Sequence, residues 1–290
     1  LWGRNEGLNG AFRLCDIIVI NGSLIQHVYR VSEAEHENPK SVVPGVYGCA
    51  VIEESLLKMV IAALVRHGQY KQPEGVPSAW LPYGLTEAGR RAAAVGAELL
   101  LSQAKDNGWH IQPVIHTSTL LRAYETGVII RDVLGEATGE SFRVEQSDQL
   151  TERSVGAMAN LTVEQIGDIA KQDPRIEGLP DGWKSNSHFK LPYPGAESLM
   201  ESGERVAAWV RQKSYVDPHK CSGRGMVIFV GHGASIRHAA VELGVLNLEQ
   251  VRALSMFYAK PVYLATDDGA RWSHVAGDWK VRDLGLGAID

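Results

Sequence analysis

The chain has 290 residues, 44% hydrophobic and 22% charged, with a formal net charge of −5 and a pI near 6.1. That is the composition of a globular protein with enough chain for a large core, in one domain or one plus an appendage, and it excludes wholesale disorder. The acidic balance argues against nucleic acid as a partner, because a phosphate-backbone binder carries a basic excess or stripe.

No apolar run reaches the length of a membrane span, and Leu1-Trp2-Gly3-Arg4-Asn5-Glu6 lacks the charged-then-apolar order of a signal peptide. Cys15, Cys49 and Cys221 are odd in number and far apart, which fits a reducing, cytoplasmic setting. The ten histidines show no ligand spacing beside carboxylates, so neither a metal nor a cofactor is expected.

Residues 1–57 read as an N-terminal extension. Asp16–Ile20, then Asn21-Gly22-Ser23, then Leu24–Val31 predict a β-hairpin, since Asn-Gly tolerates the positive φ of a tight hairpin turn. Glu33–Pro44 reads as a loop and Val46–Ile52 as a third strand, in a segment suited to packing or homo-oligomer contact.

From residue 58 to 290, strand and helix patterns alternate. This predicts a three-layer α/β/α sandwich with a mostly parallel central sheet. Strands are expected at Met59–Val65, Gln112–His116, Arg143–Glu145 and Met226–Val230. Thr86 caps a helix running through Leu101, and a second helix follows Ser118, from Leu120 to Leu134, closed by Gly135. Thr162-Val163-Glu164-Gln165 and Ser198-Leu199-Met200-Glu201 are capping boxes that open further helices. A helix starts near Ser235 and ends before Gly244, and Pro261–Thr266 with Arg271–Val275 predicts a terminal hairpin.

Chemistry gathers at strand ends. Met59–Val65 delivers Arg66-His67-Gly68-Gln69, combining a planar cation for phosphate oxygens with an imidazole that titrates near neutrality. Arg122 sits in the first turn of the helix after Thr117-Ser118-Thr119, where backbone N–H groups and a guanidinium make an anion site. Leu150-Thr151-Glu152-Arg153 adds a carboxylate, Pro194-Gly195-Ala196-Glu197-Ser198 places Glu197 at a helix N-terminus, and Val230-Gly231-His232-Gly233 repeats the strand-end histidine.

These segments, with Leu85-Thr86-Glu87-Ala88-Gly89 and Ser118–Thr126, resemble the histidine phosphatase superfamily, which includes the cofactor-dependent phosphoglycerate mutases, over roughly residues 58–280. The resemblance implies that His67 is the nucleophile that becomes phosphohistidine, that Arg66, Arg122 and His232 bind the phosphoryl group, and that Glu152 donates a proton to the leaving oxygen. A neutral His67 attacks in line if its other nitrogen is fixed by a backbone acceptor, while the arginines and a protonated His232 balance the equatorial oxygens. Gln69, Arg153 and Gly233 complete the expected substrate-binding set.

Mutases of this pattern carry Arg-His-Gly-Glu-Ser and Glu-Arg-His-Tyr-Gly; this chain has Gln69-Tyr70-Lys71-Gln72 after Gly68 and Ser154-Val155 after Arg153. The departures favour a metal-independent phosphomonoesterase acting on a small phosphorylated substrate, or on a phosphoprotein. A mutase-type isomerase and a non-catalytic phosphate-binding module are the alternatives. Ser154–Pro194 is expected to cover the pocket, with Lys184 and Lys190 either meeting a second anionic group of the substrate or standing as solvated loop lysines, and Trp80, Trp183 and Tyr193 available to a sugar, an aromatic alcohol or a peptide.

Overall fold

The computed structural model describes residues 11–20, 23–31, 59–76, 80–214 and 224–282, and the chain divides into two compact units, Leu1–Leu57 and Lys58–Asp290. In the first, β1 (Ala11–Ile20) pairs antiparallel with β2 (Ser23–Val31), from Ala11 opposite Val31 to Ile20 opposite Ser23. The expected loop Glu33–Pro44 and third strand Val46–Ile52 lie outside the described residues.

The second unit contains, in order, β3 (Val60–Arg66), α1 (Glu87–Asn107), β4 (Trp109–Ser118), α2 (Leu121–Thr138), β5 (Arg143–Ser147), α3 (Val163–Gln172), α4 (Leu199–Lys213), β6 (Arg224–Gly231), α5 (Gly233–Glu242), α6 (Leu248–Ala253), β7 (Leu254–Ser255), β8 (Pro261–Thr266), β9 (Ser273–Ala276) and β10 (Lys280–Val281). Six strands form one mixed sheet in the order β5-β4-β6-β3-β8-β9. β5, β4, β6 and β3 run parallel, and β8 and β9 extend that sheet antiparallel as the predicted hairpin.

Alternation along β3 explains the three layers. Ile61, Ala63 and Val65 join a core with Ala97 and Leu100 of α1 and Ala123, Ile130 and Leu134 of α2. Ala62 and Leu64 face the other way, against Val206 and Val210 of α4 and Ile236 and Ala239 of α5. Burial on both faces is why the strand reads as a continuous apolar run.

Three helix limits differ from expectation, and the first is α1, which runs past Leu101 to Asn107. α2 continues past Gly135 and ends at Gly139, whose φ of 73° is the left-handed geometry of a C-cap and whose N–H bonds the Gly135 carbonyl at 2.9 Å. α5 begins at Gly233 directly after His232, so the second strand-end histidine is itself the N-cap residue. Thr86, Thr162 and Ser198 cap their helices as expected.

Residues 155–196 form a lobe with its own small core of Val155, Met158, Ile166, Trp183, Leu191 and Tyr193. An antiparallel bridge between Val155 and Ala196 closes its base.

Candidate active site

The sheet order sets the site. β5, β4, β6 and β3 are parallel neighbours, and beyond their carboxyl ends lie Glu152, Ser118 with Arg122, His232, and Arg66 with His67. The β3–β6 register pairs Arg66 with Gly231, and the His67 N–H bonds the Gly231 carbonyl at 3.0 Å, so the two histidine segments are locked side by side. Their rings lie 5.0 Å apart, centroid to centroid.

His67 is 1% exposed. Its Nδ1 lies 2.8 Å from the carbonyl oxygen of Gly68, which can only accept, so Nδ1 carries the proton and Nε2 holds the lone pair. That choice of nitrogen is open in the sequence. Arg122 donates from Nε to this Nε2 at 3.2 Å and from a terminal guanidinium nitrogen to the Leu81 carbonyl at 3.0 Å. Burial first, then the Arg122 and Arg66 charges, holds His67 well below the ordinary histidine value, which keeps it neutral and nucleophilic near pH 7.

The loop after His67 is clamped from two sides. Its Gly68 N–H donates to the Thr126 hydroxyl at 3.0 Å, which donates in turn to the Arg122 carbonyl at 2.7 Å, tying nucleophile and cation to one helix turn. On the other side the Gln69 carbonyl accepts the Thr86 N–H at 2.9 Å. A Cβ on Gly89 would run into that Gln69 oxygen. Gly89→Ala must therefore push α1 away from the nucleophile loop; a loss of about 1–3 kcal/mol is expected in urea melts, with a fall in kcat/KM. An alanine variant with wild-type stability and rate would contradict this close packing.

Arg66 donates to the Met256 carbonyl at 3.1 Å and lies over the Tyr258 ring at 4.1 Å. Gly233 leaves room for it, since a Cβ there would sit 3.2 Å from the Arg66 side chain. The Arg122 guanidinium lies over Tyr70, 4.6 Å from the ring centroid. Both tyrosines also approach His67, Tyr70 at 5.3 Å and Tyr258 at 5.9 Å. Tyr258, on the segment between β7 and β8, is a site neighbour that sequence reasoning missed; it carries no motif, and the β3–β8 pairing together with the Ala259 N–H bond to the Arg66 carbonyl at 2.8 Å brings it near.

Glu152 accepts three backbone N–H groups: Arg153 at 2.9 Å and Ser235 at 3.0 Å on Oε1, and Ala234 at 3.3 Å on Oε2. The last two belong to the first turn of α5. The turn preceding Glu152, residues Asp148–Leu150, is held by Arg205, which bonds the Asp148 and Gln149 carbonyls at 3.0 and 2.9 Å. Glu197 does more than decorate a helix N-terminus. It pairs with Arg205 at 2.9 Å and accepts the Ser154 N–H at 3.0 Å, bracing both sides of the Glu152 segment.

Three expected features take a more definite form. Burial, followed by the Arg122 charge and then those of Arg66 and Arg205, holds His232 well below its ordinary value, so the ring is neutral near pH 7 in the protein without an anion. Lys190 is paired with Glu201 at 3.0 Å on the surface. Trp183 and Tyr193 are buried in the small lobe, which leaves exposed aromatic surface to Trp80, Tyr83 and Tyr258 instead. Gln69 is exposed and contributes its backbone carbonyl to the clamp described above.

Arg153 is 7% exposed, lies over the Trp183 ring at 5.7 Å, and its guanidinium makes no hydrogen bond among the described residues. Burial lowers its pKa while the charges of Glu152 and Glu197 raise it. Among the described residues no cluster of three or more His, Cys, Asp or Glu is arranged to hold a metal ion, and no helix is long and apolar enough to cross a membrane.

Comparison with known families bears directly on this arrangement. Residues 62–278 match the model of the histidine phosphatase superfamily, branch 1. The chain belongs to that superfamily. Among its histidine phosphatase relatives, a 2,3-bisphosphoglycerate-dependent phosphoglycerate mutase of Parvibaculum lavamentivorans is 28% identical over 212 residues, covering 72% of this chain and 91% of that protein. The protein of the same description from Rhizobium etli is 31% identical over 222 residues, covering 74% and 95%. Solved structures agree on the fold: a phosphoglycerate mutase from Bacillus anthracis superposes with a TM-score of 0.58 at 19% identity, covering 76% of this chain and 93% of that one. A mycobacterial glucosyl-3-phosphoglycerate phosphatase, solved with inorganic phosphate, gives 0.53 at 25% identity, covering 77% and 98%.

Proposed function

We propose that this histidine phosphatase is a phosphomonoesterase that passes the phosphoryl group through His67 Nε2. The observation that carries the reading is the fixed tautomer of a neutral, buried His67: Nδ1–H is tied to the Gly68 carbonyl, and the nucleophilic lone pair on Nε2 meets Arg122. On substrate binding, a phosphoryl oxygen takes over the Arg122 donor and frees that lone pair for in-line attack. Arg66, Arg122 and His232 stabilise the equatorial oxygens.

Glu152 then serves the leaving oxygen. It lies on the first amides of α5, beside the phosphoryl site, where a carboxyl group can hand a proton to the departing alkoxide. The Nε2–P bond forms as the P–O ester bond breaks, and the Glu152 proton goes to the departing oxygen. Water next attacks phosphorus with Glu152 as base, breaking Nε2–P and returning the proton to Glu152.

The second reading, a phosphoglycerate mutase-type transfer, is favoured by the descriptions of the relatives above. Against it stand Gln69-Tyr70-Lys71 after Gly68 and Ser154-Val155 after Arg153. A panel of phosphomonoesters, read by released phosphate, with 3-phosphoglycerate isomerisation measured in the presence of 2,3-bisphosphoglycerate, separates the two. Phosphate release faster than isomerisation is expected, and rapid isomerisation without release would overturn the hydrolase.

The buried Arg153 guanidinium, supported over Trp183 beside Glu152, is suited to a polar or anionic group on the leaving portion of the substrate. A charge-assisted hydrogen bond of about 1.5–3 kcal/mol corresponds to a KM increase of roughly ten-fold or more in Arg153→Met, with kcat changed much less. An unchanged KM on the best substrate of the panel would remove Arg153 from the binding set.

A further inference from the structure

To stabilise a phosphoryl oxygen, His232 must present a ring N–H. His232 is fully buried, and its two nitrogens have different surroundings. Nε2 lies 2.9 Å from the hydroxyl oxygen of Ser118, the last residue of β4. Nδ1 is buried and has no hydrogen-bond partner among the described residues.

Ser118 is also fully buried, and its oxygen already accepts the Leu120 N–H at 3.2 Å, at the entry to α2. Among the described residues nothing other than His232 Nε2 is placed to accept the Ser118 hydroxyl proton. If Nε2 carried the ring proton and donated to Ser118, that hydroxyl proton would be buried without an acceptor, and Nδ1 would present a lone pair to an incoming phosphoryl oxygen. Both consequences are unfavourable. With the hydroxyl donating to Nε2, the Ser118 oxygen keeps the Leu120 amide, Nε2 is satisfied, and the proton resides on Nδ1.

We infer that Ser118 is a positioning residue that fixes His232 in the Nδ1–H tautomer, so that a neutral ring offers a hydrogen-bond donor to the phosphoryl group. The inference deepens the reading of the site given above. The charged groups facing His232 come from several elements: Arg122 from α2, Arg66 from the end of β3, and Arg205 from α4, with the neutral His67 ring beside them. Glu152 lies on the first amides of α5, directly beyond His232. In that cationic setting a fixed neutral donor binds the anion with no need for the ring to take up a proton.

The direct test is ¹⁵N-histidine NMR of the wild-type protein without substrate, with the His232 ring assigned by its loss in His232→Gln. A protonated Nδ1 and an unprotonated Nε2 are expected. The opposite tautomer overturns the inference, and this readout is independent of turnover, so failure of the phosphatase reading would leave it standing.

A second arm uses Ser118→Ala with inorganic phosphate as the probe, followed by calorimetry in buffers of different ionisation enthalpy. Without the hydroxyl, His232 is free to take the other tautomer and must gain a proton to donate. Phosphate affinity is then expected to fall about ten-fold, with more protons taken up per phosphate bound than in the wild type. Wild-type affinity and wild-type proton uptake in a folded Ser118→Ala would contradict the proposal. If that variant does not fold, the wild-type NMR result decides alone.

Discussion

Replacing His67 with Ala is expected to reduce phosphate release by about four orders of magnitude or more, the scale on which enzymes lose rate when a covalent nucleophile is deleted. The size follows from the site's construction. Arg66, Arg122 and His232 are each anchored by backbone or side-chain partners, so the anion pocket persists without His67. The variant should therefore still bind inorganic phosphate while failing to transfer it. A measurement of both quantities separates loss of chemistry from loss of fold. Residual turnover within ten-fold of wild type would mean that another group attacks phosphorus.

Acid lability is the second large effect. His67, His116, His232 and His238 are all 5% exposed or less, and burial is the leading cause of a lowered pKa in each. His116, which stacks on Phe229, and His238 are pushed down to about 4, and the two site histidines fall well below their ordinary value. In the unfolded chain each returns to about 6.5 and binds a proton that the folded form excludes.

The sign is fixed by that difference. Stability contributed by these groups is fully present above about pH 6.5 and is lost as pH falls through 6.5 towards the lowered folded values. Each histidine contributes a slope of up to about 1.4 kcal/mol per pH unit, so four together give a maximum of about 5.5 kcal/mol per unit. Against a total stability of about 5–15 kcal/mol, a large part of the stability is expected to be lost by pH 5. Urea melts at pH 8, 7, 6 and 5 should show near-constant stability between the first two and a steep fall between the last two. Constant stability from pH 8 to 5 would contradict the buried neutral histidines.

Much of this architecture is legible in the chain because buried parallel strands and capped helices leave local signatures. The run Val60–Val65 is apolar throughout since both faces are covered, and Thr86, Thr162 and Ser198 announce their helices by the hydrogen bonds they make. The same signal at Asn247-Leu248-Glu249-Gln250 opens the short α6. Gly135 invited an early stop to α2, yet a helix ends where a residue adopts the left-handed cap, and Gly139 does so.

The strand-end histidines and Arg122 were legible for the same reason: each follows a buried strand directly. What supports them was not, because it comes from distant sequence. Ser118 meets His232 across 114 positions, Arg66 reaches Met256 across 190, and Arg205 holds the turn before Glu152 from 57 positions away. Charge state was equally hidden. A histidine in sequence carries no mark of how many arginines will surround it, and the lowered pKa of the buried His232 is one consequence.

The central claim is that phosphate passes through one particular nitrogen of one histidine. Rapid quenching during turnover of the best phosphomonoester, followed by phosphopeptide mapping and ³¹P NMR, tests it most directly. Acid-labile, alkali-stable phosphate on His67 Nε2, absent from His67→Ala, is the predicted result. Phosphate on Nδ1 or on another residue, or turnover with no phosphoenzyme formed, would contradict it.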